Sequence, residues 1–339
     1  HHARLHFGQG RHLAAFVRHR SPAMRVLVTG AGGYLGSEVV NVLRAAGCDV
    51  FPTARREVDH LSEELGVPVE TLDVLAPGDF CFPAPLDAVV HCATANDIVS
   101  RDFAKGMDLS VSGTWNMLRL AAAAGASRFV FLSTFQVYGT ELEGEVSEET
   151  PVRCESAYGL NHWFGEEACR LFAATSPLRI AALRPSNVYG VPAVATVERS
   201  TLVPMCFVRD ALSAGRITLR SSGLQTRNFV STREVAGPIE WLLGQPDWPA
   251  FSVFNACSHL NASILDVARL TCAVHAERTG RELPLEILGE QPSSPNVFRA
   301  VTRGGWALPE AEKSWSNMRS AIHGLFALAQ NAGPATTPS

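Results

Sequence analysis

An α/β fold is predicted, a doubly wound parallel sheet joined to a smaller C-terminal lobe, and three features of the chain predict it. Short apolar runs alternate with amphipathic segments from Arg25 onward, a glycine-rich turn separates the first run from the first amphipathic segment, and after Pro185 the alternation loosens into pieces punctuated by glycine and proline. Apolar runs spaced at helix-length intervals suit parallel strands, because each needs a crossover of a dozen or more residues before the next.

The runs at 26–29, 50–53, 69–72, 88–91, 129–133 and 180–184 predict six strands. Between them Leu35, Val39, Val42, Leu43 and Ala46 make one helical face, and Met107, Val111, Trp115, Leu118 and Ala122 make another. Beyond Pro185 the pattern predicts helices near 199–214, 232–243, 263–279 and 310–328, with short strands near 216–219 and 251–254, all assigned to the lobe. The resulting division is a non-native or disordered extension over 1–23, a nucleotide-binding domain over 24–185, a mainly substrate-binding lobe over 186–329 and a disordered tail over 330–339. The extension holds five of the eleven histidines, shows no stable period, and ends just before Met24.

Composition narrows the function. The chain has 339 residues, 46% of them hydrophobic and 18% charged, with 29 Lys plus Arg against 33 Asp plus Glu for a net charge of −4. That is enough apolar material for a large core. No basic run reads as a phosphate-backbone patch, so nucleic acid is not an expected partner. No apolar run approaches the roughly 18 to 20 residues that span a bilayer, so no membrane association is expected. The eight cysteines form no C-x-x-C pair and no metal-ligand spacing, which predicts reduced, mostly buried thiols in a cytoplasmic protein and no metal site.

The run Val26-Leu-Val-Thr-Gly30-Ala-Gly32-Gly33-Tyr-Leu-Gly36 puts glycines between a strand and a helix. Glycine lets the backbone approach a pyrophosphate, and the helix amino end supplies unpaired N–H groups and a positive dipole. A Rossmann-type dinucleotide site is therefore predicted, with Gly30, Gly33, Tyr34, Leu35 and Gly36 around the pyrophosphate. A site for NAD usually ends its second strand on an acid that accepts from the ribose 2′-OH. This chain reads Thr53-Ala54-Arg55-Arg56 there, and two guanidiniums suit a 2′-phosphate, so NADP(H) is preferred with NAD(H) possible. Asp73 either meets the adenine amino group or caps a turn. Val74, Cys92 and Ala93, following the third and fourth runs, complete the expected cofactor-binding set.

The chain also resembles the extended short-chain dehydrogenase/reductase family, the group of NAD-dependent epimerases and dehydratases that modify nucleotide sugars. The resemblance runs from Met24 to about Pro309. It is carried by the glycine run, Val89-Val-His-Cys-Ala93, Phe131-Leu-Ser-Thr-Phe-Gln-Val-Tyr-Gly139, Ser156-Ala-Tyr-Gly-Leu-Asn-His162, Leu183-Arg-Pro-Ser-Asn-Val-Tyr-Gly190, Arg227-Asn-Phe-Val and Gly305-Trp-Ala-Leu-Pro309. It implies that Tyr158 moves the proton while hydride passes to or from a nicotinamide, and that Thr134 orients the carbonyl. Asn187 and Arg227 would contact a substrate diphosphate, and Asn96 lies where relatives contact cofactor or substrate. It further implies a homodimer paired through the helices around 99–124 and 156–174.

Two departures from the family pattern matter. Its Tyr-x-x-x-Lys motif reads Tyr158-Gly-Leu-Asn-His162 here, so imidazole stands one helical turn from the tyrosine, in a position to hold the nicotinamide ribose. A lysine is charged throughout the working range and favours tyrosinate, whereas a histidine is mostly neutral at pH 7. Either an enzyme with altered pH behaviour or a catalytically silent dinucleotide-binding protein follows. The second departure is Phe135-Gln136 in place of the acidic pair of sugar 4,6-dehydratases. Neither side chain is a general acid or base, so dehydration is disfavoured. The expected function is NAD(P)-dependent oxidation, reduction or epimerisation of a hydroxyl/keto centre on a nucleoside-diphosphate sugar, with reduction of a non-sugar carbonyl as the alternative enzyme.

Overall fold

The computed structural model describes residues 23–78, 80, 85–195, 197, 201–290 and 297–331. The expected extension up to residue 22, Cys81, residues 199–200 of a predicted helix and the tail from 332 lie outside the described residues.

In chain order, β1 (Arg25–Thr29) leads into α1 (Tyr34–Ala45), β2 (Asp49–Ala54), α2 (Val58–Leu65), β3 (Glu70–Thr71) and β4 (Ala88–His91). Next come α3 (Phe103–Met107), a π-helical turn over Asp108–Ser112, α4 (Gly113–Ala123), β5 (Arg128–Leu132), β6 (Gly144–Val146), α5 (Ala157–Ala173), β7 (Arg179–Pro185) and β8 (Asn187–Tyr189). The rest is α6 (Met205–Ala214), β9 (Ile217–Leu219), β10 (Thr226–Ser231), α7 (Thr232–Gly244), β11 (Phe251–Ala256), β12 (Leu260–Ser263), α8 (Ile264–Thr279), β13 (Leu285–Ile287), β14 (Phe298–Ala300) and α9 (Ala311–Asn331).

Among the described residues, seven strands form one parallel sheet in the order β11-β7-β5-β4-β1-β2-β3. The predicted doubly wound sheet is present, and the period-2 alternation of its strands explains why both faces are covered. Val26, Val28, Val90 and Val130 pack with Val39, Val40 and Leu43 of α1 and Ile239 and Leu242 of α7. Leu27, Val89, Phe129 and Phe131 point the other way, onto Met117 and Leu118 of α4 and Cys169 of α5.

The structure corrects the prediction in three places. Strand β11 and helix α7, both assigned to the lobe from sequence, belong to the main sheet: β11 is its edge and pairs in parallel with β7 from Phe251↔Ile180 to Ala256↔Pro185, and α7 packs on it through Ile239 and Leu242. The helix predicted over 199–214 begins at Met205, after Pro204, whose fixed φ and missing N–H suit a helix start. The cysteines are less buried than expected: Cys169 and Cys257 are buried, whereas Cys48, Cys92, Cys154, Cys206 and Cys272 are half-buried, all seven being free thiols.

The lobe has its own core, in which Tyr189, Phe207, Phe229, Leu265, Met318 and Phe326 meet. Its strands β8, β10 and β12 form a second sheet. Helices α7 and α8 each start on a capping box, Ser231 with Glu234 and Ser263 with Asp266. Glu234 thus serves to start α7, and it also accepts from Asn317 Nδ2 at 3.2 Å.

Candidate active site

Strand order reverses between β4 and β1, and a parallel sheet opens a crevice at the carboxyl ends of its strands at such a point. A cavity of about 530 Å³ lies there. It is lined on the β1–α1 side by Gly33 to Gly36, beyond β4 by Cys92 and the segment from Thr94 to Asp97, and at the centre by Ser133, Tyr158 and His162. From the lobe come Ser186, Asn187, Arg227 and Phe229. A separate hollow of about 710 Å³ bounded by Pro77, Phe80, Asn116 and Arg119 holds none of these side chains.

The glycine turn fits a pyrophosphate. Gly30 has φ +71°, and a β-carbon on it would lie 2.9 Å from the Ala93 amide nitrogen. A β-carbon on Gly36 would lie 2.1 Å from the Gly30 carbonyl oxygen, so the first turn of α1 can pack against the loop only without a side chain there. Gly33 precedes α1 with no side-chain cap, leaving the helix amino end for a ligand. The Gly33 N–H already donates to the Gly30 carbonyl at 2.8 Å, so the groups the helix start offers a ligand are those of Tyr34 to Gly36. The Tyr34 hydroxyl turns away from the loop and donates to the Gly190 carbonyl at 2.8 Å, tying the cradle to the segment that carries Asn187.

Tyr158 and His162 follow the Ser156 N-cap of α5, and their rings lie 4.4 Å apart between centroids. His162 is buried, with Nδ1 2.9 Å from the Tyr158 carbonyl oxygen and Nε2 3.2 Å from Thr94 Oγ1. A carbonyl only accepts, so Nδ1 carries the proton; in the neutral ring Nε2 then accepts from the Thr94 hydroxyl. Burial pulls the His162 pKa down to about 4, opposed by the bond to the Tyr158 carbonyl. Burial and nearby His162 pull His91 to about 3, its Nδ1 lying 2.7 Å from Thr29 Oγ1. The site therefore holds neutral imidazole where the family pattern has a cation.

Behind the tyrosine lies a polar network that the sequence reading did not single out. The Ser133 hydroxyl donates to Glu166, whose carboxylate also accepts from Arg184 Nε at 2.9 Å and Nη2 at 2.6 Å. Arg184 Nη1 donates to the Tyr138 hydroxyl at 2.8 Å, which donates in turn to Asn255 Oδ1 at 2.8 Å. Both members of the ion pair are buried. Two signals were available: Glu166 stands eight residues after Tyr158 on the same helical face, and Arg184 interrupts an apolar strand.

The other predicted residues separate into two groups. Asn96 lines the cavity, but its Oδ1 accepts from the Ile98 and Val99 amides, at 3.0 and 2.8 Å. Asn187 Nδ2 donates to the Asn228 carbonyl at 2.9 Å. Arg227 is half-buried, its Nη1 bonded to the Thr226 carbonyl at 3.0 Å; among the described residues no carboxylate pairs with it, and burial lowers its pKa. Burial of its sulfur pushes the Cys92 thiol up to about 12, which disfavours the thiolate.

Gly30, Thr134, Ala93, Asp73, Val74, Arg55 and Arg56 are not among the residues that line the cavity. Gly30 and Ala93 support its wall through the backbone. Thr134 is buried, and its Oγ1 accepts from the Gln136 amide at 3.3 Å. Asp73 Oδ1 accepts from the Leu75 amide at 3.0 Å in a turn, which favours the capping alternative, and Val74 is core. Arg55 and Arg56 are exposed beyond β2.

A doubly wound sheet, a glycine cradle at its switch point and a tyrosine one helical turn from a ring nitrogen define a dinucleotide-dependent enzyme of the Rossmann class. The chain belongs to the NAD dependent epimerase/dehydratase family, whose model matches residues 26–257. It is 28% identical over 266 residues to dTDP-4-dehydro-6-deoxy-D-allose reductase from a Streptomyces species, covering 74% of this chain and 80% of that protein. It is 26% identical over 343 residues to UDP-glucose 4-epimerase from Azospirillum brasilense, covering 93% of this chain and 95% of that one. Among solved structures, RMD from Pseudomonas aeruginosa complexed with NADPH superposes with a TM-score of 0.72 at 22% identity, covering 91% of this chain and all of that one. UDP-glucuronic acid 4-epimerase from Bacillus cereus in complex with NAD gives 0.72 at 20% identity, covering 92% and 99%. The relatives matched by sequence are epimerases and reductases of nucleotide sugars.

Proposed function

We propose that this enzyme oxidises, reduces or epimerises a hydroxyl/keto centre of a nucleoside-diphosphate sugar. The observation that carries the reading is Arg227: a half-buried guanidinium with no carboxylate partner among the described residues, facing the same cavity as Tyr158. A desolvated cation opposite a reaction centre suits a diphosphate, and Asn187 adds an amide beside it. A simple non-sugar carbonyl gives Arg227 no anion to hold.

The bound nicotinamide supplies or takes the hydride. Tyr158 gives or removes the hydroxyl proton; Thr134, to which the resemblance gives the polarising role, follows β5 but is buried and outside the cavity lining. His162 presents a neutral ring to the cofactor ribose and keeps the first turns of α5 in place through the Tyr158 carbonyl. Gly30, Gly33 and Gly36 admit the pyrophosphate, with Arg55 and Arg56 reaching a 2′-phosphate, and α4 and α5 pair two subunits.

Thermal shift with UDP, dTDP and GDP tests the reading. One base should stabilise the protein, and Arg227→Ala should abolish that shift. If no nucleoside diphosphate stabilises it while the dinucleotide does, the substrate is not a nucleotide sugar. Tight dinucleotide binding without hydride transfer to any keto or hydroxy sugar would leave the silent binding protein.

A further inference from the structure

One part of the cavity is apolar in a way the diphosphate and the cofactor do not require. Phe135, Leu142 and Phe298 line it next to the first turn of α5. Phe135 directly follows Thr134, and its ring stacks on Phe298 with centroids 6.2 Å apart and planes 26° apart. It also meets Tyr138 edge-on at 4.8 Å, so this wall is fixed by packing with Val137 and Val146 behind it. The turn is held against α5: the Ser156 hydroxyl donates to Gln136 Oε1 at 3.2 Å, and a β-carbon on Gly159 would lie 2.7 Å from the Gln136 carbonyl oxygen. The wall therefore stands beside the helical turn that carries Tyr158.

The polar groups of this region are already engaged or already assigned. Thr140 Oγ1 donates its proton to Glu155, at 2.6 Å, and Gln136 Oε1 is taken by Ser156, leaving the Gln136 NH2 for a ring hydroxyl. Among the described residues, Arg227 is the lone arginine or lysine lining the cavity, and the diphosphate occupies it. A hydroxyl pressed on Phe135, Leu142 and Phe298 would lose its water partners with only the Gln136 NH2 to replace them, and a carboxylate there would have no counter-charge.

From this wall we infer that the hexose acted on is deoxygenated at its exocyclic carbon, so that a methyl group rather than a hydroxymethyl or carboxylate faces Phe135, Leu142 and Phe298. The inference rests on the nucleotide-sugar reading above. An apolar surface rejects an added hydroxyl only moderately, so the expected preference is roughly 10- to 100-fold. A carboxylate at the same carbon is expected to bind more weakly still.

The test is calorimetric binding to the dinucleotide-loaded enzyme of glucose, 6-deoxyglucose and glucuronic acid, each as its UDP, dTDP and GDP form. On one base, the 6-deoxy sugar is expected to bind at least tenfold more tightly than the glucose form, with the glucuronate weakest. Leu142→Asn and Phe298→Tyr each place a polar group on the wall and are expected to bring the first ratio within about threefold, with the thermal midpoint measured to show that each variant is folded. Equal affinity for glucose and 6-deoxyglucose, a preference for the glucuronate, or an unchanged ratio in both folded variants overturns the inference and leaves the nucleotide-sugar reading standing. Failure of all nine ligands to bind overturns that reading itself.

Discussion

His162 shares its Nε2 with the hydroxyl of Thr94, 3.2 Å away, and so occupies the position of a family cation as a neutral acceptor. The proton on Nδ1 is committed to the Tyr158 carbonyl at 2.9 Å. Burial penalises the charged ring, which is why it stays neutral well below its usual range, although the bond to the Tyr158 carbonyl works in the opposite direction. Tyr158 thus has no fixed charge on the residue four positions on.

Replacing His162 with lysine should restore that charge. In the oxidative direction, where the tyrosine must accept a proton, the alkaline rise of kcat is expected to move down by at least one pH unit. The rate at pH 7 should gain about tenfold, since one unit of differential stabilisation corresponds to about 1.4 kcal/mol. A pH–rate profile unchanged by His162→Lys would show that this side chain does not act on the Tyr158 proton.

Acid stability follows from the same ring. The native His162 takes a proton only below about pH 4, whereas the unfolded ring takes one below about 6.5. Between these values the unfolded chain binds more protons, so stability contributed by the neutral ring is present above pH 6.5 and is lost as pH falls toward 4. The loss amounts to about 3 kcal/mol when complete. Urea unfolding at pH 7 and pH 4.5 should therefore show wild type losing about 2 kcal/mol more than His162→Gln. Equal losses would mean the native ring is solvated. His91 is pulled down mainly by burial, which is the same in both proteins, so only the smaller part of its shift that comes from His162 differs between them.

The Glu166–Arg184 pair is buried on both sides, so removing one partner strands a charge. Glu166→Leu or Arg184→Met alone is expected to cost about 3–5 kcal/mol, whereas the two together should recover most of it. Denaturant titration of the four proteins of this cycle measures the coupling; additive costs would show the pair to be independent. Because Glu166 also accepts from Ser133, beside Thr134, the double variant is expected to regain stability while kcat stays low.

The nucleotide-binding half was legible because its strands write their packing locally. Val26 and Val28 face one layer and Leu27 the other, and the glycines that make close approaches, Gly30 and Gly36, follow directly. The lobe was less legible. Strand β10 mixes Arg227 and Asn228 with Phe229 and has no clean alternation, and β11 is apolar enough to be predicted but carries no mark of the strand it joins, since Phe251 pairs with Ile180 across 71 positions. The same limit applies to chemistry. His162 was visible as a departure at i+4 from Tyr158, yet its partner Thr94 lies 68 residues away, and nothing local to either residue encodes that contact.

The cofactor's ribose chemistry is tested at Arg55 and Arg56. Both guanidiniums are exposed just past β2, the strand that pairs with β1, and they precede the exposed Glu57. They have solvent on one side, so a 2′-phosphate would gain charge-assisted bonds weakened by screening. Replacing both with alanine should weaken NADPH binding by roughly 10- to 100-fold at low salt while changing NADH by less than about threefold. Raising the salt to about 0.5 M should narrow the difference between NADPH and NADH in the unaltered protein. Calorimetric titration of both cofactors measures this, after any dinucleotide retained through purification has been released by denaturation and identified by absorbance and mass. Tightly retained NAD(H), with NADPH affinity indifferent to both arginines, would overturn the preference and favour an epimerase that recycles its own cofactor. Exchangeable NADPH that responds to the double substitution would instead mark a reductase, for which a reduced cofactor must arrive with every turnover.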